Sequence, residues 1–118
     1  MKFEKYFPLP WKSDKCVYLW SSNNQTPLMD DYTDYSNYDA GILDAVANVV
    51  NGHITSHITS QKCKAVYNPN EGVITVNDKY RLIVRGWGYL TSSGLSNEEA
   101  AEVQDEMGYW IADKLNGK

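Results

Sequence analysis

Two turn signals between Lys64 and Leu90 constrain this chain more than any other feature. Asn68-Pro69-Asn70-Glu71-Gly72 places Pro early and Gly where a positive φ is wanted. After the β-branched run Val73–Val76 comes Asn77-Asp78-Lys79. Read as a three-residue turn, it aligns Ile74 with Leu82 and Val76 with Tyr80 on one face. A two-residue turn would set Ile74 opposite Arg81 and mix the faces. Consecutive hairpins therefore predict an antiparallel sheet, with Tyr80–Leu90 as its longest strand. That strand's inner face reads Tyr80, Leu82, Val84, Gly86, Gly88 and Leu90, and its outer face Arg81, Ile83, Arg85, Trp87 and Tyr89. Glycines at such positions let another element approach closely or let the strand bend.

The remaining segments fit around this sheet. Lys15–Ser21 mixes β-branched and aromatic residues and reads as a strand, turned by Ser22-Asn23-Asn24-Gln25. Thr26–Asp31 is the return strand, with Pro27 confining it to an edge or marking its first residue. Asp30–Asp39 has no period and reads as a loop. A helix is predicted over Tyr38–Val50, capped by Asn37, with Asp39 in its first turn and Ile42, Leu43, Val46, Val49 and Val50 as its buried stripe. Asn51-Gly52 stops it. The tandem repeat HITS-HITS, 53–60, fits a strand or a helical turn. A second helix runs over Asn97–Leu115. Ser96 and Glu99 form a capping box, Leu95 is placed for a staple, and Ala100, Val103, Met107, Trp110, Ile111 and Leu115 form the apolar stripe. Asn116-Gly117 ends it. The element order ββ-α-βββ-α predicts the α+β class: one domain over 1–118, an antiparallel sheet of about four to five strands and two amphipathic helices mainly on one face. A chain of 118 residues buries about two-thirds of its unfolded surface, enough to fold without metal or disulfide.

Charge alternates along the chain. Residues 1–15 carry +2, 16–61 carry −5 with no Lys or Arg, 62–92 carry +3 and 93–118 carry −4. A simple nucleic-acid binder would be basic overall, whereas the net charge here is −4. No apolar run approaches the roughly 20 residues of a membrane helix, and the amino-terminal stretch has no apolar secretory core. Cys16 and Cys63 make neither a zinc cage nor a disulfide framework, so a reducing cytoplasm is expected.

Three sets of residues bear on chemistry. His53 and His57 lack the further ligands and the adjacent Glu of a zinc enzyme, and Cys63 between Lys62 and Lys64 reads as a buried thiol. No nucleophile elbow or assignable carboxylate pair is present, so neither catalytic residues nor a metal or cofactor is expected. An acidic, aromatic surface comprises Asp30, Asp31, Tyr32, Asp34, Tyr35, Tyr38 and Asp39, joined by Glu102, Asp105 and Glu106 of the last helix. Tyrosine gives rigid contact area and carboxylates pair with arginine, so this surface is predicted to bind a partner. Carboxylates spaced along a helix also imitate phosphates toward a nucleic-acid-binding protein. An alternative ligand site comprises Arg81, Arg85, Trp87 and Tyr89 with the loop Ser92 and Ser93, where a guanidinium beside an indole suits a planar anion such as a nucleotide. Glu98 and Glu99 in the following helix's first turn oppose phosphate there.

Pro8-Leu9-Pro10-Trp11, a short hairpin carrying Asp30 and a helix over Ile42–Asn51 together resemble the opening of small uncharacterised phage and prophage proteins, over about the first 50 residues. The resemblance implies a phage origin and a life in the cytoplasm of an infected bacterium; it implies no catalytic residues. Trp11 itself reads as a core anchor, with Pro8 and Pro10 stiffening the chain before it. The expectation is a non-enzymatic accessory protein that inhibits a host protein with a basic surface, a defence component being the target class. It would contact neither nucleic acid nor membrane directly. Two alternatives are a nucleotide-sequestering protein and a virion or assembly protein, and the outward Ile83, Trp87 and Tyr89 suit a homodimer face.

Overall fold

The structure, a computed structural model, describes residues 2–14, 18–23, 26–33, 41–52 and 64–117. After a 3₁₀ turn at Lys2–Lys5 the elements are β1 (Lys12–Ser13), β2 (Tyr18–Trp20), β3 (Pro27–Asp31), α1 (Ile42–Val50), β4 (Ala65–Asn68), β5 (Val73–Val76), β6 (Tyr80–Val84), α2 (Trp87–Ser92) and α3 (Asn97–Leu115). The six strands form one antiparallel sheet in the order β1-β2-β3-β6-β5-β4. The α+β class stands, with one strand more than expected: β1, two residues long, carries too little pattern to read from sequence.

Both hairpins over 64–84 form as the turn chemistry dictates. Ile74 pairs with Leu82 and Val76 with Tyr80. Asn77 and Asp78 take positive φ (55° and 56°), a conformation that their short polar side chains tolerate. Gly72 (φ 68°) closes the other turn, its N–H donating to the Asn68 carbonyl at 2.8 Å. Pro27 is the first residue of β3, an inner strand, where its missing N–H breaks no ladder. A bulge between Leu19 and Trp20 leaves Leu28 as the extra residue of β3 and re-aims it, so Leu28 and Met29 are both fully buried.

Several expectations change. The strand predicted over Tyr80–Leu90 ends at Val84. Gly86 takes φ 122°, which turns the chain out of the sheet, and Trp87–Ser92 winds into α2. Gly86 permits a close approach, by the Phe7 ring from the amino-terminal segment: a Cβ at Gly86 would lie 2.6 Å from that ring. Asp30 and Asp31 end β3, as the return strand over Thr26–Asp31 predicts, so the loop read from Asp30 does not begin before Tyr32. The described part of the first helix begins at Ile42 with Gly41 at its N-cap. The predicted cap Asn37, Asp39, the start of the first strand (Lys15, Cys16, Val17), Asn24, Gln25, the HITS-HITS repeat with His53 and His57, and Cys63 lie outside the described residues. The last helix matches its prediction, with the Ser96–Glu99 capping box formed in both directions.

The core lies between the sheet and α1 and α3. Leu19, Met29, Ile74, Val76, Leu82 and Val84 face it from the strands, Ile42, Val46 and Val50 from α1, and Val103, Met107 and Ile111 from α3. Trp11 is 2% exposed and packs with Phe3 and Trp110 at ring separations of 6.0 and 5.7 Å, an anchor as expected.

A two-fold relation runs through the sheet. Asp30 pairs with Ile83 at its centre, and Met29↔Val84 exchanges with Asp31↔Leu82. Outward from there, Met29 pairs with Leu19 and Leu19 with Ser13, while Leu82 pairs with Ile74 and Ile74 with Tyr67. Each half is three strands followed by a helix that ends in Asn-Gly. Asn51 clamps Trp11, accepting its N–H at 2.8 Å and donating to its carbonyl at 2.7 Å. Asn116 clamps Ala65 in the same way, at 2.7 and 2.8 Å. Two residues further on, Ser13 donates to Asp44 of α1 and Tyr67 to Asp105 of α3.

Gly86→Ala should destabilise the fold by about 2–4 kcal/mol, since it combines a forbidden φ with a clash against a core ring. Gly88→Ala, with open space around it and a helical backbone, is the control and should be neutral to slightly stabilising. Urea unfolding of both variants checks the difference.

Candidate functional site

The acidic surface predicted from sequence divides once it is folded. Asp30 is only 8% exposed, and its Oδ2 accepts from both Nε and Nη2 of Arg85. Its Oδ1 is buried with no donor among the described residues. Asp31 is half-buried and its Oδ1 accepts the Thr33 N–H at 3.0 Å. Tyr32 is 66% exposed. Asp34, Tyr35, Tyr38 and Asp39 lie outside the described residues. Asp30 is thus withdrawn from any partner: it shares the sheet face of Ile83, and Arg85 neutralises it.

The last helix keeps its acids outward. Glu98, Glu102, Asp105, Tyr109 and Asp113 recur at intervals of four, three, four and four, which at 3.6 residues per turn places them in one stripe about 22 Å long. Glu98, Glu102 and Asp113 are exposed, with no Lys or Arg partner among the described residues. Tyr109, 51% exposed, stands among them. The helical period that marks Glu102, Asp105 and Glu106 in the sequence, about one acid per turn, marks Glu98 and Asp113 as well, and Tyr109 falls in phase with them. Glu106 falls at the stripe's flank, where it accepts the Phe3 N–H at 3.2 Å. Glu99 is committed to the cap: the hydrogen bond from the Ser96 backbone, then the Ser96 side chain, holds its carboxyl below the ordinary range.

Gly108 sets the inner side of this stripe. A Cβ there would sit 2.4 Å from the Tyr67 ring, so only glycine lets that ring lie against α3. Tyr67 then reaches Asp105 at 2.8 Å and meets Tyr109 edge-on at 5.0 Å. Burial, then the hydrogen bond to Asp105 and its charge, pushes the Tyr67 phenol well above its ordinary value of 10.0, so it remains a donor and Asp105 remains an acceptor.

The alternative site is partly assembled, by different elements than predicted. Arg81, Arg85, Trp87 and Tyr89 do not share a strand face, because Trp87 and Tyr89 belong to α2. Arg85, Trp87 and Tyr89 nevertheless line one groove of about 340 Å³ with Pro27, Ile83 and Gln104. Trp87 is 45% exposed. Arg81 instead pairs with Glu71 at 3.6 Å, and Ser93 donates to the Tyr89 carbonyl at 2.9 Å. Ser92 ends α2 and is not among the groove's lining residues. The hydrogen bonds to Asp30 hold the Arg85 guanidinium even further above its ordinary value, so the cation is permanent but already matched by a carboxylate. A larger cleft, about 590 Å³, lies between the Lys2–Lys5 turn and α3 and carries both signs of charge: Lys2 and Lys5 against Glu99, Glu102 and Glu106. Among the described residues no three His, Cys, Asp or Glu side chains come together as a metal cage, and no helix is long and apolar enough to cross a membrane.

Arg85→Met should cost about 3–5 kcal/mol by leaving Asp30 buried without a cation, and Asp30→Leu/Arg85→Met together should recover part of that loss. A double-mutant cycle in urea measures the coupling. Tyr67 gives a pH signature. Its folded pKa lies above the unfolded one, so its contribution is whole below pH about 10 and is lost as pH rises further and only the unfolded phenol ionises. Tyr67→Phe should flatten the alkaline loss of stability between about pH 9 and 11, followed by urea midpoints.

Compared with known protein families, curated proteins and solved structures, the chain matches none.

Proposed function

We propose that this protein acts by binding and not by catalysis: it is an accessory protein that occupies the basic surface of a host protein through the acidic stripe of α3. The observation that carries this reading is the alignment of Glu98, Glu102, Asp105, Tyr109 and Asp113 on one exposed helix face, with three carboxylates uncompensated among the described residues. Rim charges of this kind steer association and select partners of opposite sign, while each exposed pair adds only about 0.2–1 kcal/mol. Tyr109, braced by Tyr67, supplies the rigid aromatic anchor that such an interface needs. The phage-like opening at Pro8–Trp11 supports an infected bacterium as the setting and a defence component as the target class.

Charge density limits how far the stripe imitates nucleic acid. Four carboxylates over about 22 Å give one charge per 5–6 Å, against about 1.7 Å for a DNA duplex. The stripe therefore fits a row of separate Arg or Lys side chains, one per helical turn, better than a continuous phosphate channel. The groove at Arg85 and Trp87 supports an anionic small ligand less well, since Asp30 already holds the guanidinium there.

Glu98→Lys/Glu102→Lys/Asp113→Lys changes only exposed residues and should leave stability nearly unchanged. Immobilised protein should retain basic, salt-eluted proteins from a bacterial lysate, and the triple variant should lose them. Tyr109→Ala should weaken the same capture by roughly tenfold or more. Equal capture by the wild type and the triple variant would overturn the reading.

A further inference from the structure

Two sequence pairs, Asn51-Gly52 and Asn116-Gly117, combine the residues most prone to intramolecular loss of ammonia, because glycine leaves its own nitrogen unshielded. In that reaction the deprotonated backbone nitrogen of Gly attacks Cγ of Asn. A C–N bond forms, the bond to the side-chain nitrogen breaks and ammonia leaves. Water then opens the five-membered imide to aspartate or, with one more methylene in the main chain, isoaspartate.

The fold opposes each requirement at both sites. Ring closure needs the glycine nitrogen to swing toward Cβ, yet ψ is 0° at Asn51 and −2° at Asn116, which places that nitrogen over the residue's own amide. The Gly52 N–H is held by the Val49 carbonyl and the Gly117 N–H by the Lys114 carbonyl, each at 3.1 Å. Both carboxamides are fixed by their two hydrogen bonds to Trp11 and Ala65.

We propose that Asn51 and Asn116 are modification sites held shut by the clamps they form, so that amide-to-acid conversion reports, and makes permanent, the release of a sheet edge. A carboxylate accepts from the N–H of Trp11 or Ala65 but cannot donate to the carbonyl beside it. It therefore sets two acceptors against each other where the amide made a bond. Asn116 converts first: it is exposed, whereas Asn51 is half-buried beside Trp11. The consequence is local to β4, whose edge then offers unpaired backbone groups to another strand.

The test incubates the intact chain at mildly alkaline pH, folded and in urea, and maps conversion by peptide mass spectrometry. Conversion should be slower in the folded protein by roughly tenfold or more at both sites, with Asn116 ahead of Asn51. Native-state amide exchange at Ala65 should rise by a similar factor in Asn116→Asp while exchange at Trp11 stays unchanged. Equal conversion rates with and without urea, or unchanged exchange at Ala65 in the variant, would overturn the proposal.

Discussion

The pairing of β3 with β6 is the joint on which the molecule depends. Three residue pairs, Met29↔Val84, Asp30↔Ile83 and Asp31↔Leu82, turn two three-stranded units into one six-stranded sheet. Apart, each unit would bare a strand edge and rest a small sheet on a single helix, near the lower limit of what is stable. Joined, the central strands are covered and α1 and α3 share one core. The Asp30–Arg85 ion pair crosses the same joint, from β3 to the residue after β6, and the Arg85 N–H adds a backbone bond to the Leu28 carbonyl at 2.8 Å. A carboxylate at the centre of the seam is costly unless a cation meets it. Here one oxygen is fully served and the other meets no donor among the described residues, so the pair contributes more to specifying the joint than to its net stability.

The two-fold relation explains how the ends of the sheet are finished. An edge strand offers N–H and C=O groups to any passing chain. At both ends of this sheet a helix terminus supplies one carboxamide that answers a donor and an acceptor of the edge at once. Asn-Gly at a helix end is normally a stop, with the glycine in the left-handed region, as it is here at Gly52 (φ 86°) and Gly117 (φ 83°). The same asparagine also caps the sheet, which makes helix termination and edge protection one local event.

Local chemistry was legible in the sequence, and long-range placement was not. The three-residue turn at Asn77–Lys79, the positive φ of Gly72, the Ser96–Glu99 box and the span of α3 follow from neighbours in the chain, and each forms as read. The error at Gly86 has a different cause. Alternation from Tyr80 to Leu90 is genuine, but the backbone at Gly86 answers to Phe7, a residue 79 positions away whose ring occupies the space a strand would need. Asp30 reads as an exposed acid because its partner Arg85 lies 55 positions on, beyond any local pattern. Gly108 gives no sign in a helical stripe that it makes room for Tyr67. The β1 strand and both asparagine clamps stay hidden for the same reason: they exist only between segments.

The two halves differ in the helix that each carries. In the first half α1 has nine residues, and its single acid, Asp44, is bound to Ser13. In the second half α3 has nineteen residues, preceded by the added α2. The length of α3 carries it past what one three-stranded unit needs to cover. It packs on α2 and on the Lys2–Lys5 turn, where Phe3 meets Trp110 and Glu106, while Glu98, Glu102, Tyr109 and Asp113 stay exposed. Burial accounts for Val103, Met107 and Ile111; among the described residues neither burial, capping nor ion pairing accounts for Glu98, Glu102 and Asp113. Asp105 and Tyr109 of that face are tied to Tyr67 of the sheet, whereas Glu98, Glu102 and Asp113, in phase with them, meet no Lys or Arg among the described residues.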